Sequence, residues 1–594
     1  MTAMFKPAAA KFFEDQLSLF PEQPAPVPAT PVSDVRGYSE KVADALLSIK
    51  QAILDGWVPC ANYSGGKDSS VLLALSFKAI EELKAEGFDV PMLHILHSDT
   101  LIENPYIKAY NQHQIRQIRA YAEASGIAAK VWVASPGLSN DYLVSLIGGR
   151  TIASVGSNSK CQQLMKAAPL QRLRSQVKRF VAEQQGIKPR KVKTLALIGT
   201  RFDESVQRGV QMRKRGESTF TPVESPNSKG EFILSPIAEL TAFDVFEFIG
   251  HVRSGKFATY DSFDKLVEVY REMNQGDCMV TVYMAGKEAP RAPCSARTGC
   301  WGCLRVSRDQ SAENLIASDN GEFLWMKPLN DLREFIKKMH FNPSARCWLG
   351  RSVDADGMVS ISPNAYSPAY TKQLLEVILT IQAREGLAAR KLGIKPRFKI
   401  LTLKQVMAVD LLWSRYGYQA PFTALRTYID IYQHGKRYNL PDIASMPEFT
   451  SKDVAFSTRV PFTDDSYHHP FNGLRNIDWA AAGAEEVVET ASGKLMTDVV
   501  TGDEFDIDDE GLAMFVEFEM ERALTRISID DAPSSAAHYL LGLGTVQLAK
   551  GKHQDWDRMF RMSNRVHRAG LRQHLHDPHA LIKAIEASNT EVAN

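Results

Sequence analysis

The sequence predicts an α/β protein: an open parallel sheet with helices on both faces, followed by a cysteine-rich segment and a mostly helical C-terminal region. Three observations predict it. Between residues 38 and 255, apolar runs of strand length alternate with helical runs, the pattern of parallel strands joined by helical crossovers. A glycine- and serine-rich bend follows the first apolar run, where such sheets place their ligands. From about residue 330 onward the spacing turns predominantly helical.

The elements follow in order. Residues 1–37 form a flexible proline-rich segment, in which PEQPAPVPATPVSDV has no apolar periodicity. Order begins near Tyr38, where YSEKVADALLSIKQAILDGW sets Val42, Leu46, Ile49 and Ile53 on one helical face, with Ser39 as the N-cap. VPCANY reads as a buried strand, SGGKDSS as a loop and VLLALSFKAIEELKAEG as a helix. MLHILHS (residues 92–98), AKVWVAS and TLALIGT (residues 194–200) read as further strands, and NPYIKAYNQHQIRQIRAYAEASG as a helix. This first domain spans residues 38–255. Residues 256–330 hold a cysteine cluster. Residues 331–440 form a helical domain, clearest in TKQLLEVILTIQAREG (residues 371–386) and LKQVMAVDLLWSRYG, and residues 441–594 show no assignable pattern or role.

A hydrophobic content of 44% and a charged content of 23% are those of a globular protein and exclude wholesale disorder. There is no run of about 18 uncharged apolar residues, so no membrane partner is expected. The acidic, discontinuous N-terminus does not read as a secretory signal, which predicts a cytoplasmic chain with reduced cysteines. The net charge of +1 conceals a polarised distribution. From Lys166 to Arg215 fourteen Lys/Arg face three Asp/Glu, while from Glu485 to Glu521 thirteen acids face Lys494 alone. Such runs serve as solvated faces, but the basic one also suits a polyanionic partner.

The densest chemical signal is Tyr63-Ser64-Gly65-Gly66-Lys67-Asp68-Ser69-Ser70, between a strand and a helix. Glycines let a backbone approach phosphate oxygens without a Cβ. Ser64, Ser69 and Ser70 offer hydroxyl donors, and the N–H groups that open the next helix point at the same anion. Lys67 adds a charge, and Asp68 can orient donors or help hold Mg2+. The plain alternative is a glycine turn with a Ser/Asp helix cap. Asp99, at the end of the second strand, is placed for a ligand crevice or, equally simply, for a turn.

The full SGGKDS segment differs from the GxxxxGKS/T loop and resembles the PP-loop of ATP pyrophosphatases, the adenine nucleotide α-hydrolase-like fold. That family splits ATP between its α and β phosphates and adenylates a substrate oxygen. His97-Ser98-Asp99-Thr100 with Glu103-Asn104-Pro105 is similar to an element of its PAPS-reductase-like branch, as are Cys161 to Lys166 with Pro169, Gly199-Thr200-Arg201 with Glu204, Ser205 and Arg208, and the closing segment Pro236 to Phe246. The resemblance implies ATP and Mg2+ as cofactors, held by Tyr63 to Ser70 together with Asp99, Thr100, Gly199, Arg201 and Arg208. It implies catalytic roles for Lys67, Asp68, Asp99 and Arg201, with arginine neutralising a pyrophosphate leaving group.

Cys278, Cys294, Cys300 and Cys303 are separated by fifteen, five and two residues. Four thiolates so placed suit structural zinc or an iron–sulfur cluster, and spacing alone does not choose. Cys161 is a substitute ligand or a sulfur-handling thiol, and Cys60 a core residue. The segment PCSARTGCWGCLRVSRDQSAENLI is similar to the DndC family of DNA phosphorothioation systems, and the SspD component of the single-stranded system shares the same core. This resemblance implies a 4Fe–4S cluster on the four cysteines, with zinc as the alternative. It also implies DNA, a cysteine desulfurase and other phosphorothioation-system subunits as partners. The expected activity is adenylation of the DNA backbone for sulfur insertion. Two alternatives stand beside it: a sulfonucleotide reductase or tRNA thiolase, and a non-catalytic nucleotide-binding scaffold with a structural zinc site.

Overall fold

The computed structural model describes residues 36–156, 160–225, 228–273, 299–318, 321–444, 458–463, 465–480, 485–489, 495–499, 503–526 and 532–593. Most of the proline-rich segment, together with Cys278 and Cys294, lies outside the described residues.

Helix α1 (Tyr38–Leu54) buries Ala45, Ile49, Ala52 and Ile53. Its N-cap is Gly37, not Ser39: the Gly37 N–H donates to Glu40 Oε2 at 2.8 Å, which leaves Ser39 inside the first turn. Strand β1 (Val58–Tyr63) lies at the centre of a six-stranded sheet with β2 (Leu93–Ser98), β3 (Ala129–Ala134), β4 (Thr194–Leu197), β5 (Val223–Glu224) and β6 (Phe232–Leu234). The order is β3-β2-β1-β4-β6-β5, and every pairing is parallel except β5 with β6. The α/β fold with an open, mostly parallel sheet is therefore present.

The period-two alternation of β1 feeds both faces. Ala61 and Tyr63 pack with α2 (Lys67–Ala85) and α7 (Ala242–Arg253), whereas Val58 and Cys60 pack with Leu173, Val177 and Val181 of α5 (Ala168–Gln185). Between these lie α3 (Pro105–Ala124), α4 (Tyr142–Ile147) and, after β4, α6 (Val206–Lys214). Each fully buried Leu or Ile in these layers contributes about 1.5–3 kcal/mol. The core beneath the sheet also takes in Leu266, Val269 and Met273 of α8 (Asp264–Met273), Leu315 of α9 (Gln310–Ile316), and Phe323 and Met326.

A second core gathers α10 (Lys327–His340), α11 (Pro368–Lys391), α12 (Leu403–Tyr416) and α13 (Thr423–Tyr432). It also holds a three-stranded antiparallel sheet that the helical reading omits: β7 (Arg346–Val353), β8 (Met358–Tyr366) and β9 (Thr458–Pro461). Gly357 closes the β7–β8 turn at φ 74°, and Asp354 Oδ1 accepts the N–H groups of Asp356 and Met358. Further along, β10 (Glu485–Glu489) pairs β11 (Leu495–Val499), and β12 (Phe505–Ile507) pairs β13 (Val546–Leu548). Trp556 and Phe560 of α15 (His553–Arg568) and Leu540 of α14 (Ser535–Gly542) pack against Leu411 and Leu412 of α12.

One acidic pair fastens the C-terminal region to the first domain. Asp503 accepts from Ser139, Asn140 and Arg172, and Glu504 pairs with Arg150 and Arg415. A Cβ on Gly137 would collide with the Asp503 carboxylate. Among the described residues no helix is long and apolar enough to cross a membrane.

Candidate active site

The strand order turns back between β1 and β4, where the connections leave in opposite directions and their carboxyl ends open a crevice. Ser64 to Gly66 occupy that opening after β1. Gly65 sits at φ 77°, and a Cβ there would run into the Asn111 side chain of α3, so only glycine fits. Gly66 is the N-cap of α2, which makes Lys67 to Ser70 its first turn rather than part of a loop. The bend is tied by its own hydroxyls: the Ser64 N–H donates to Ser69 Oγ at 3.2 Å, Ser69 Oγ donates to the Gly66 carbonyl at 2.9 Å, and the two serine oxygens lie 3.0 Å apart. Ser70 is wholly buried, and its N–H closes the first helical turn on the Gly66 carbonyl at 2.9 Å. The N–H groups of Asp68 and Ser69 precede the point at which intrahelical bonding begins and carry the positive end of the helix dipole.

The loop after β4 presses directly on this turn. An added Cβ on Gly199 would stand 3.1 Å from the Asp68 carbonyl and from the Ser69 nitrogen. Arg201 is 2% exposed and donates from Nε to Asp68 Oδ1 at 2.7 Å and from Nη1 to the Leu240 carbonyl at 3.3 Å. Its guanidinium therefore positions Asp68, rather than facing open solvent. Lys67 Nζ lies 3.4 Å from Asp68 Oδ2 and 5.5 Å from the ring centre of Tyr270, whose hydroxyl accepts the Lys67 N–H at 3.3 Å. Arg208 on α6 is exposed and pairs with Glu204 one turn earlier.

Asp99 follows β2 directly and does two things at once. Oδ1 accepts the Leu101 N–H at 2.8 Å, and Oδ2 pairs with Lys108 Nζ at 2.9 Å. Leu101 is held at φ 66°, a conformation that costs a leucine about 1–3 kcal/mol. Thr100 is wholly buried, with Oγ1 3.7 Å from Cys300 Sγ.

Cys300 to Cys303 form a tight turn, with the Cys303 N–H on the Cys300 carbonyl at 3.0 Å. It is stitched to the loop after β2: Cys300 bridges Glu103, and the Trp301 N–H donates to the Ile102 carbonyl at 3.0 Å. Burial pushes the Cys300 thiol up to about 11, with Lys166 pulling against it. Cys161, Cys300 and Cys303 all act on the buried Tyr142 hydroxyl, which burial, and after it Tyr366, drives well above its usual range. Cys278 and Cys294 are outside the described residues, and among those described no group of three or more His, Cys, Asp or Glu side chains is disposed to hold a metal. Cys60 and Cys347 are both buried.

The structure thus brings Ser64 to Ser70, Asp99, Thr100, Gly199 and Arg201 to one edge of the sheet and sets the Cys300 turn beside it. Tyr63 lies beneath, 2% exposed. Sequence reasoning missed Asn111, Lys108 and Tyr270. The first two are interior positions of a helix that was expected but carries no motif there, and Tyr270 comes from α8, beyond the last motif.

Residues 59–253 match the family model for the phosphoadenosine phosphosulfate reductase domain. The match runs from β1 to the last turn of α7 and covers about a third of the chain. No curated protein matches the chain.

Proposed function

We propose, from the premise of a phosphoadenosine phosphosulfate reductase-type domain at residues 59–253, that the chain is an ATP pyrophosphatase of a DNA phosphorothioate modification system. The observation that carries the reading is the hydroxyl-tied Ser64–Gly66 bend at the start of α2, with Gly65 and Gly199 both at positions where a side chain has no room. Such a bend receives a polyphosphate on backbone N–H groups at a helix start.

In this reading a DNA phosphate oxygen attacks the α-phosphorus of ATP. That P–O bond forms as the bond to the α–β bridging oxygen breaks, and pyrophosphate leaves with the electron pair. Lys67 neutralises charge on the departing group, and Arg201 holds Asp68 in its rotamer. Asp68 in the first turn of α2 and Asp99 just after β2 would offer carboxylate oxygens to Mg2+; the ion supplies further charge neutralisation when bound. The outer sulfur of a desulfurase persulfide then attacks the activated phosphorus as AMP leaves, and a thiol reductant cleaves the resulting S–S bond, becoming a disulfide as the phosphorothioate is freed.

Cys300 and Cys303 would hold two corners of a thiolate-bound 4Fe–4S cluster. Cys300 and Cys303 share one turn, and Cys278 and Cys294 would complete the set. DNA binding is supported by exposed Lys188, Arg190, Lys191 and Lys193 before β4 and by Arg213 and Lys214 at the end of α6.

The test is product analysis with α-labelled ATP and DNA, using anaerobically purified protein. AMP and pyrophosphate are expected; ADP and orthophosphate, or no turnover, would refute the reading. The family match also favours a second reading, reduction of a sulfonucleotide. Sulfite release from PAPS in the presence of a dithiol reductant, without DNA-stimulated cleavage of ATP, would establish that one instead.

A further inference from the structure

A cavity of about 270 Å3 opens beside the crevice and is used by none of the groups assigned above. Its walls are the first turns of α3, Trp301 of the cysteine turn, Leu329 of α10 and the segment Pro396 to Ile400 that joins α11 to α12. Its size lies just below that of pockets that enclose small organic ligands, roughly 300–1,000 Å3.

The wall chemistry is specific. Trp301 and Phe398 supply aromatic surface, and both are fixed: Trp301 by its backbone bond to Ile102, Phe398 by stacking on Trp325 at 6.2 Å and 27°. Arg397 is locked to Glu385 by two charged hydrogen bonds of 2.9 and 2.7 Å, so it stiffens the wall. Lys399 is exposed and has no ion pair among the described residues. Lys108 lines the cavity while its ammonium reaches Asp99 at 2.9 Å. On the same helix, Asn111 faces Gly65 of the bend. One stretch of α3 therefore borders both the cavity and the ATP loop, and Lys108 marks the passage between them.

We propose that this cavity seats one nucleotide of the acceptor DNA strand, its base against Trp301 and Phe398 and its phosphate against Lys108 and Lys399. The inference rests on the functional reading above and adds the acceptor site to it. Trp301 and Phe398 are 7% and 9% exposed, so each offers the cavity a narrow strip of aromatic surface; aromatic contact beside lysine is the chemistry that holds single-stranded nucleic acid. Gln112 and Glu103 offer hydrogen-bonding groups to a base edge.

The experiment uses the full chain, purified anaerobically, with a single-stranded DNA oligonucleotide carrying 5-bromodeoxyuridine. Ultraviolet crosslinks are mapped by mass spectrometry, and affinity is read by fluorescence anisotropy. Crosslinks are expected on Trp301 or Phe398, with Lys399→Glu weakening binding roughly tenfold and removing them. Lys583→Glu, an exposed lysine elsewhere, should leave affinity unchanged. If DNA stimulates cleavage of ATP but crosslinks fall only on other segments, or Lys399→Glu binds normally, the cavity assignment is overturned and the functional reading survives. If DNA neither binds nor stimulates cleavage, both fall. Crosslinking by RNA in place of DNA would overturn the DNA occupant.

Discussion

Replacing Gly65 by alanine tests the ATP loop with two separable costs. The backbone stands at φ 77°, where an L-residue loses about 1–2 kcal/mol against glycine. The new Cβ would also lie 2.9 Å from Asn111 Cγ and closer still to its amide oxygen, an overpacking cost of about 1–3 kcal/mol. Gly65→Ala should therefore destabilise the first domain by about 2–5 kcal/mol and weaken ATP binding at least tenfold. Asn111→Ala removes the obstacle without touching the backbone angle. In the double variant only the conformational cost of about 1–2 kcal/mol, measured against Asn111→Ala, should remain. The assay is a double-mutant cycle by chemical denaturation, with ATP affinity measured by equilibrium dialysis on the same four proteins. A harmless Gly65→Ala, or a double variant with no recovery, would show that the bend is not shaped as described.

Lys67→Ala or Asp68→Ala should abolish pyrophosphate release; unchanged release in either would discredit this loop as the site. Reversing Arg213, Lys214 and Arg215 to glutamate should weaken DNA binding and flatten its dependence on salt, read from affinities between low and physiological ionic strength. The anaerobic protein should be brown, absorbing near about 400 nm, and Cys303→Ser should bleach it; a colourless protein containing zinc would exclude the iron–sulfur assignment. Asp410 is buried and accepts the Ala424 and Leu425 N–H groups at 2.8 Å, and burial pushes its pKa up to about 7. A folded pKa above the unfolded value near 3.9 means that the native state holds the extra proton. Stability from this group is full below about pH 4 and is lost as pH rises to about 7. Asp410→Asn should flatten that slope in denaturation curves collected from pH 4 to 8.

The parallel sheet was legible because β1, β2 and β4 are short, largely apolar and mostly buried runs, with Ser64-Gly65, Asp99 and Gly199 close behind their ends. The α11 and α12 helices were equally plain from their apolar spacing. Arg201 shows where local reading ends: its pairing with Asp68 spans 133 positions and depends on β4 lying next to β1, which no local pattern states. The β7–β8 hairpin was readable in principle from Asp354-Ala355-Asp356-Gly357, a turn tetrad between alternating residues, but the surrounding helical periodicity hid it. Residues 441–594 carried no pattern because their elements are short and their apolar side chains meet partners distant in sequence, Phe505 with Trp556 and Leu540 with Leu411 and Leu412 of α12.

Asp503 and Glu504 act as a rivet whose loss would be felt at a distance. Removing both strips the counter-charge from Arg150, Arg172 and Arg415 at once, and these belong to three separate parts of the chain. Arg172 stands in the first turns of the helix that immediately follows Cys161 and Lys166. Trimming the tail ahead of residue 503 would thus loosen the helix that follows Cys161 and Lys166, so the distal end of the molecule sets how firmly its chemical edge is held.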